Sequence, residues 1–433
     1  MIKCIKSERK EFFYEAIRVP INGEITYHIC IFESGKSEVH PFTEYLTDKV
    51  GGFTLKNSSF NTLKNFHLTF IIRFLNYIFN DSKISISKIE DLKLELIDEF
   101  LNNYSKGKLS PNSNEWIDKK TVKRATYAIS HFVYWLCCKK ESGSSRRKFK
   151  MKFIKEKDFD FKKVTTHSKE GYVTKEKKVL DDIVIPITSS KNNIREKVVA
   201  PTDYLVRRLI DLSIENDPML TFGIILGAYS GLRVGYIVQM SEERIKGLYK
   251  NKVEGAYFDC SSNEILRSDI KITGSMKIKI IVPIHPGFAE AIYNYLMLHI
   301  EYLKNQGLYP NKYGALFINN RGFAMDTQTY LRRFKKLNDL LDKAIKEEVL
   351  LGNKDAIQAE QILSENKLTP HSLRHYFKQT IKPIEKNRRM LQIYMGDTYI
   401  DSPELYSDGG SVKEKIRECQ NKVYMPIKLN TLK

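Results

Sequence analysis

The sequence predicts a mainly α-helical protein with a small antiparallel β-sheet, divided between two domains and their appendages. Three observations carry this expectation. The chain has 433 residues, too many for one ordinary hydrophobic core. Apolar residues recur at three- and four-residue spacing in both halves, the period of one helix face. Strand-like alternation is confined to short runs beside turn residues. A composition of 42% hydrophobic and 28% charged residues is that of a globular chain.

Taken in order, the first 36 residues alternate in AIRVP and EITYHICIF around Asn22-Gly23, a dipeptide suited to a two-residue hairpin turn. This marks an N-terminal extension, 1–44. Helical spacing begins near residue 54, where Phe60, Leu63, Phe66, Phe70, Ile71, Phe74 and Ile78 share one face. A second helix is expected over 89–104. A third starts at Lys119, with Val122, Ala125, Ile129, Phe132, Val133 and Leu136 on one side. Together they make a compact helical domain, 45–140. A linker follows, 141–200, entered through KKESGSSRRKFKMKFIKEK (139–157) with its nine Lys or Arg. It reads equally as a solvated connector or as a basic strap across phosphates. Its one strand candidate is DDIVIPI, 181–187.

The second domain, 201–418, opens at Pro201, with Thr202 a possible cap or turn residue. Helices are expected over 202–214, 217–229, 287–305 and 326–348. The stretch ILRSDIKITGSMKIKIIVPIH (265–285) reads as two strands around a Gly-Ser turn. Residues 419–433 form a C-terminal tail.

Lys+Arg 71 against Asp+Glu 52 gives a net charge of +19. Self-repulsion opposes compaction, so such an excess points to a polyanionic partner, most commonly nucleic acid. A lysine-rich, AT-biased genome is the bland alternative. The six cysteines include no C-x-x-C pair, which argues against a disulfide framework or a zinc site and for a reducing interior. The beginning, MIKCIKSERKEFF, breaks into charge before a signal-like apolar run. The longest apolar stretch, MLTFGIILGAY (219–229), is too short to cross a bilayer. A cytoplasmic location with no membrane partner is the expectation.

Three segments carry candidate chemistry. In TPHSLRHYF (369–377), Thr369 can cap a helix and Pro370 suits its first position. His371 and Arg374 then lie three apart on the first turn, where free N–H groups favour an anion. An isolated H-x-x-R is, however, most often a surface pair. In GAYSGLRVGYIVQMS (227–241), Arg233 sits within an apolar helical run, where an unpaired charge is costly. It must meet a carboxylate, as in a structural ion pair, or a ligand anion. In YMGDTYIDSPELYSDG (394–409), three tyrosines occupy a polar segment.

In this order, GLR with Arg233, a β-hairpin ending in IIVPI, LFINNRGFAMDTQTYLRRF, TPHSLRH, and MGD followed by Tyr406 resemble the tyrosine recombinase (phage integrase) family. The resemblance covers roughly 200–410. More loosely it covers 45–140, which looks like the family's core-binding, SAM-like DNA-binding domain. It implies a two-domain, C-shaped clamp of core-binding and integrase-type catalytic domains. Arg233 matches the first catalytic arginine, His371 and Arg374 the H-x-x-R pair, and Tyr406 the nucleophile. The family position of the hairpin lysine falls on Ser275; Lys277 and Lys271 are the nearest candidates, with Lys277 favoured. Asp397 stands where His or Trp is usual, and Tyr236 where an acid is frequent.

The resemblance implies site-specific cleavage and rejoining of double-stranded DNA through a 3′-phosphotyrosyl intermediate, for integration or excision of a mobile element. It implies a homotetramer on DNA recombination sites in the bacterial cytoplasm or nucleoid. No cofactor, ATP or divalent metal is expected, and the sequence has no P-loop or metal-ligand cluster. The arginines would hold the phosphate, Tyr406 would attack, His371 would assist with the proton or bond the phosphoryl oxygen, and Lys277 would protonate the departing oxygen. Family tails often dock on a neighbouring subunit, which is expected here too. The alternatives are a catalytically impaired DNA-binding relative and a type IB topoisomerase-like nicking-closing enzyme.

Overall fold

The computed structural model describes residues 10–21, 24–50, 53–55, 60–82, 85–109, 116–137, 149–159, 161–167, 174–180, 200–250, 255–262, 264–269, 273–274, 276, 280–385, 387–396 and 417–426. The described fold is mainly helical with small two-stranded sheets, antiparallel wherever a register is defined. It divides into two compact units, residues 1–19 with 27–195 and residues 196–433 with 20–26.

β1 (Phe12–Ile21) and β2 (Glu24–Glu33), whose residues other than 20–26 belong to the first unit, flank the expected turn, whose Asn22 and Gly23 lie outside the described residues. β3 (Lys49–Val50) pairs with β4 (Phe53–Thr54). A continuous helix, α1 (60–81), follows, then α2 (Leu94–Ser105) and α3 (Lys119–Cys137). The apolar face expected of α3 is buried throughout, from Val122 to Leu136. In α1, Phe70, Ile71, Phe74 and Ile78 are buried as the period predicts, but Phe66 is 39% exposed. Leu63–Leu68 forms wide π-type turns, which rotate residues away from a 3.6-residue period. Phe66 instead lies under the Arg124 guanidinium, 4.6 Å from its carbon.

The hairpin belongs to the same core. Phe12 packs against Phe42 and Phe79, and the Asn76 side chain bonds both the Phe12 N–H (2.6 Å) and its carbonyl (3.0 Å). The described part of the basic stretch also packs here, with Phe159 just after it: Ile154 and Phe159 are buried, and Lys152 pairs with Asp91 at 2.6 Å.

β5 (Phe161–His167) and β6 (Thr174–Leu180) form a hairpin in register Phe161↔Leu180 through His167↔Thr174. The sequence gives no warning of it, because FKKVTTH and TKEKKVL lack a clean apolar alternation. The strand candidate 181–187 lies outside the described residues.

The second unit is built around α5 (Pro218–Ser230), every residue of which from Met219 onward is buried. It packs against α4 (Asp203–Asn216), α8 (Pro286–Asn305) and α11 (Pro370–Ile381). Glycines allow two close approaches: a Cβ on Gly223 would meet Tyr330 and one on Gly227 would meet Leu373. Thr202 caps α4 by accepting from the Leu205 N–H at 3.3 Å. After α5 come the short helices α6 (Val234–Ile237) and α7 (Lys246–Lys250).

β8 (Ile280–Pro283) pairs with β7 (Tyr257–Cys260); of the two strands expected around the Gly-Ser turn, residues 270–272, 275 and 277–279 lie outside the described residues. Residues 264–269 are irregular, because Arg267 turns back to chelate Asp269 and to bond the Ala324 carbonyl. The remaining helices are α9 (Thr327–Leu350), α10 (Lys354–Glu365), which the sequence reading did not foresee, and α12 (Arg388–Tyr394).

The described tail, 417–426, packs on its own unit. Cys419 is fully buried. The Tyr424 N–H donates to the Tyr229 hydroxyl (2.9 Å), its carbonyl accepts from Tyr295 (2.7 Å), and its own hydroxyl donates to Asp211 (2.8 Å). Within this single chain its partners sit on α4, α5 and α8.

Candidate functional site

Three of the six candidate residues are described: Arg233, His371 and Arg374. Lys277, Asp397 and Tyr406 lie outside the described residues, as do Lys271, Ser275 and Tyr399.

α5 ends at Gly231, whose φ of +63° is left-handed. Only glycine suits this position, for conformational reasons and because a Cβ would lie 2.5 Å from the Phe377 ring. The chain then turns through Leu232 to Arg233, the half-buried cap residue of α6. The sharp stop of α5 takes the arginine out of the apolar run in which the sequence sets it.

α11 begins as the sequence predicts, at Pro370 after Thr369. The Ser372 hydroxyl accepts from the Thr369 N–H at 3.1 Å, satisfying one donor at the helix start. His371 is exposed on this first turn, edge-to-face with His375 at 4.7 Å. Burial, then the charges of Lys378 and Arg374, lower the pKa of His375 and favour its neutral form. The sequence reading overlooked His375, although it is four residues from His371 and thus on the same face.

Arg374 is 3% exposed and joins the three motif segments. Its Nη1 donates to the Gly231 carbonyl and to the Met395 carbonyl, each at 2.5 Å. One guanidinium thus ties the α11 helix to the turn carrying Arg233 and to the Met395-Gly396 turn. Gly396 has φ +61°, and a Cβ there would sit 3.3 Å from Val282 of β8. Tyr394 packs its ring against His285 at 5.2 Å, in keeping with a packing role.

The hairpin segment also reaches this turn. Gly274 backs onto Gly235, with a would-be Cβ 2.6 Å from the Gly235 carbonyl oxygen. Tyr236, where an acid is frequent in the family, is 1% exposed. The fully buried arginine of the unit is a different residue, Arg244, at 0% exposure. It meets Glu264 (3.3 Å), the Ser262 carbonyl (2.5 Å) and the Met276 sulfur (3.0 Å). Arg244, which the sequence does not single out, thus holds a structural ion pair.

A cavity of about 290 Å³ lies beside α8, walled by Pro218, Phe222, Leu298, His299 and Tyr302. It includes none of the candidate residues. Among the described residues no group of three or more metal-ligating side chains is present, and no helix is long and apolar enough to cross a membrane.

No protein-family model and no curated protein match the chain. Solved structures do. XerA recombinase aligns over 87% of this chain and 92% of its own, at 18% identity and TM-score 0.30. The Tn1549 transposon integrase in complex with transposon right end DNA aligns over 87% and 93%, at 15% identity and TM-score 0.43. A lambda integrase dimer bound to a COC′ core site aligns over 80% and 90%, at 14% identity and TM-score 0.43. The chain is similar to recombinases and integrases. At these values the likeness carries no argument about activity, and the functional reading rests on the chain's own residues.

Proposed function

We propose that this chain is a site-specific tyrosine recombinase that cuts and rejoins DNA strands for the movement of a genetic element. The observation that supports it most is the pair of hydrogen bonds from Arg374 to the Gly231 and Met395 carbonyls. It brings together the GLR, H-x-x-R and MGD segments, which lie far apart in the sequence. The net charge of +19 suits a DNA partner.

In this reading the Arg233 and Arg374 guanidinium groups hold the non-bridging oxygens of one phosphodiester and stabilise the charge of the pentacovalent state. The Tyr406 phenol oxygen forms a bond to phosphorus while the bond from phosphorus to the 5′-oxygen breaks. His371 receives the phenol proton or bonds a phosphoryl oxygen, and Lys277 gives a proton to the departing 5′-oxygen. The 3′-phosphotyrosyl link retains the bond energy, so another strand's 5′-hydroxyl reverses the step. Asp397, unable to donate to phosphate when ionised, orients an arginine. The enzyme works as a tetramer on two duplexes.

The test uses a nicked suicide substrate made from the boundaries of the element that carries the gene. Wild-type protein is expected to form a covalent adduct. Tyr406→Phe is expected to bind the same DNA and form none. Asp397 favours one second reading, a DNA-binding relative that has lost cleavage. Wild-type binding without any adduct on the true site would establish that reading in place of the first.

A further inference from the structure

We propose that Gln239 is a positioning residue for departure of the 5′-oxygen, fixing Thr273, Gly274 and Met276 against the turn that carries Arg233. This rests on the recombinase reading above. Gln239 is 3% exposed, a position where an apolar side chain would be the ordinary choice. Its amide Nε2 instead donates to two backbone carbonyls, Gly274 at 2.5 Å and Gly235 at 3.3 Å. Gly235 follows Arg233 by two positions within α6. The two glycine backbones meet so closely that a Cβ on Gly274 would lie 3.0 Å from the Gly235 Cα.

Two further contacts hold the same segment. Thr327, at the start of α9, donates its N–H (2.8 Å) and its hydroxyl (3.1 Å) to the Thr273 carbonyl. Arg244 Nη1 reaches the Met276 sulfur at 3.0 Å. Residues 273, 274 and 276 are thus each anchored, and residue 277 in the sequence is the lysine expected to supply the proton. Gln239 touches no substrate in this scheme. It fixes the distance between the group that holds the phosphate and the segment that leads to the proton donor.

Cleavage breaks the bond between phosphorus and the 5′-oxygen, and that oxygen leaves as an alkoxide unless a proton arrives as the bond breaks. Proton delivery is sensitive to placement, and a shift of about 1 Å costs on the order of 100-fold. Gln239→Leu keeps the bulk and removes both hydrogen bonds. It is expected to slow covalent adduct formation on an ordinary phosphodiester by roughly 10- to 100-fold. A substrate with sulfur in place of the bridging 5′-oxygen releases a thiolate, which needs no proton to leave. On that substrate Gln239→Leu and wild type are expected to react at rates within about twofold, because the step sensitive to Gln239 is bypassed.

Hydrogen exchange on the full-length protein without DNA supplies a second readout. In Gln239→Leu, peptides over 273–283 are expected to exchange faster, while those over 219–229 stay unchanged. A deficit that persists on the sulfur substrate would overturn the proposal, since Gln239 would then support phosphate holding or the fold. No deficit on either substrate, or unchanged exchange over 273–283, would also overturn it. If wild type forms no adduct on either substrate, the recombinase reading fails and this role fails with it. Faster exchange over 273–283 would then leave Gln239 as a purely structural clamp.

Discussion

Arg244 and Arg374 are both buried in the second unit, at 0% and 3% exposure, yet they are held differently. Arg244 faces the Glu264 carboxylate and fills its remaining directions with a carbonyl and a sulfur. The two described hydrogen bonds of Arg374 go to carbonyls of separate segments. In the reading proposed above, the first arginine completes the fold, while the second ties the GLR, H-x-x-R and MGD segments together where a phosphate would be held.

Substitution should separate the two roles. Arg244→Ala leaves Glu264 without its partner and a cavity behind, and is expected to cost about 3–5 kcal/mol of stability. Denaturant unfolding measures this, and a loss below about 1 kcal/mol would remove Arg244 from its structural role. Arg374→Ala is expected to lower the rate of adduct formation by about 10²–10³, the scale of a lost donor to a developing charge. Cleavage measured per folded molecule checks it. A variant that reacts normally once folded would make Arg374 the equivalent of Arg244.

Part of this contrast was legible in the sequence and part was not. The α11 start was readable because Thr369 and Pro370 are local signals that the helix itself obeys. The α5 run was readable from its apolar length and from Gly231 at its end. Arg233 drew attention because its neighbours are apolar, but exposure is settled by the turn at Gly231, which lifts it out of the helix. Arg244 gave no signal, since SEERIKG looks like a surface turn and its burial depends on Glu264 and Met276 arriving from elsewhere. The pairing of β7 with β8 is not legible for the same reason: strand pairing is a long-range choice. Phe66 was misplaced because periodicity assumes an unbroken 3.6-residue turn.

A smaller effect compares the two units through their buried histidines. Burial lowers His67 to about 4 and His131 to about 3 in the first unit, and His299 to about 4 in the second, against an ordinary value of 6.5. Each stays neutral when folded and takes up a proton on unfolding once the pH falls below about 6.5. Stability therefore drops with acidification, by about 1.4 kcal/mol per pH unit for each histidine until its folded pKa is reached. With two strongly lowered groups in the first unit, against His299 and the lesser lowering of His375 in the second, the first unit should weaken more steeply. Both tryptophans, Trp116 and Trp135, lie in the first unit, so their fluorescence follows it. A first-unit midpoint unchanged between pH 7.5 and 5.5 would contradict the assignment.

The smallest effect concerns the tail. Tyr424→Phe removes the hydroxyl that donates to Asp211 and is expected to cost about 1 kcal/mol, since the tyrosine is only part-buried. A lower melting temperature at every protein concentration fits packing on the same chain. A loss that vanishes as the protein is concentrated would mean that the tail docks between chains.

The contrast between the two arginines depends on what Arg374 and Arg233 hold, and that is tested most directly by locating the covalent bond to DNA. Wild-type protein trapped on a nicked substrate of its own site would be digested and the DNA-linked peptide identified by mass. The expected result is a single adduct on Tyr406. An adduct on Tyr399 or Tyr394, or no adduct on a site that the protein demonstrably binds, would contradict the account.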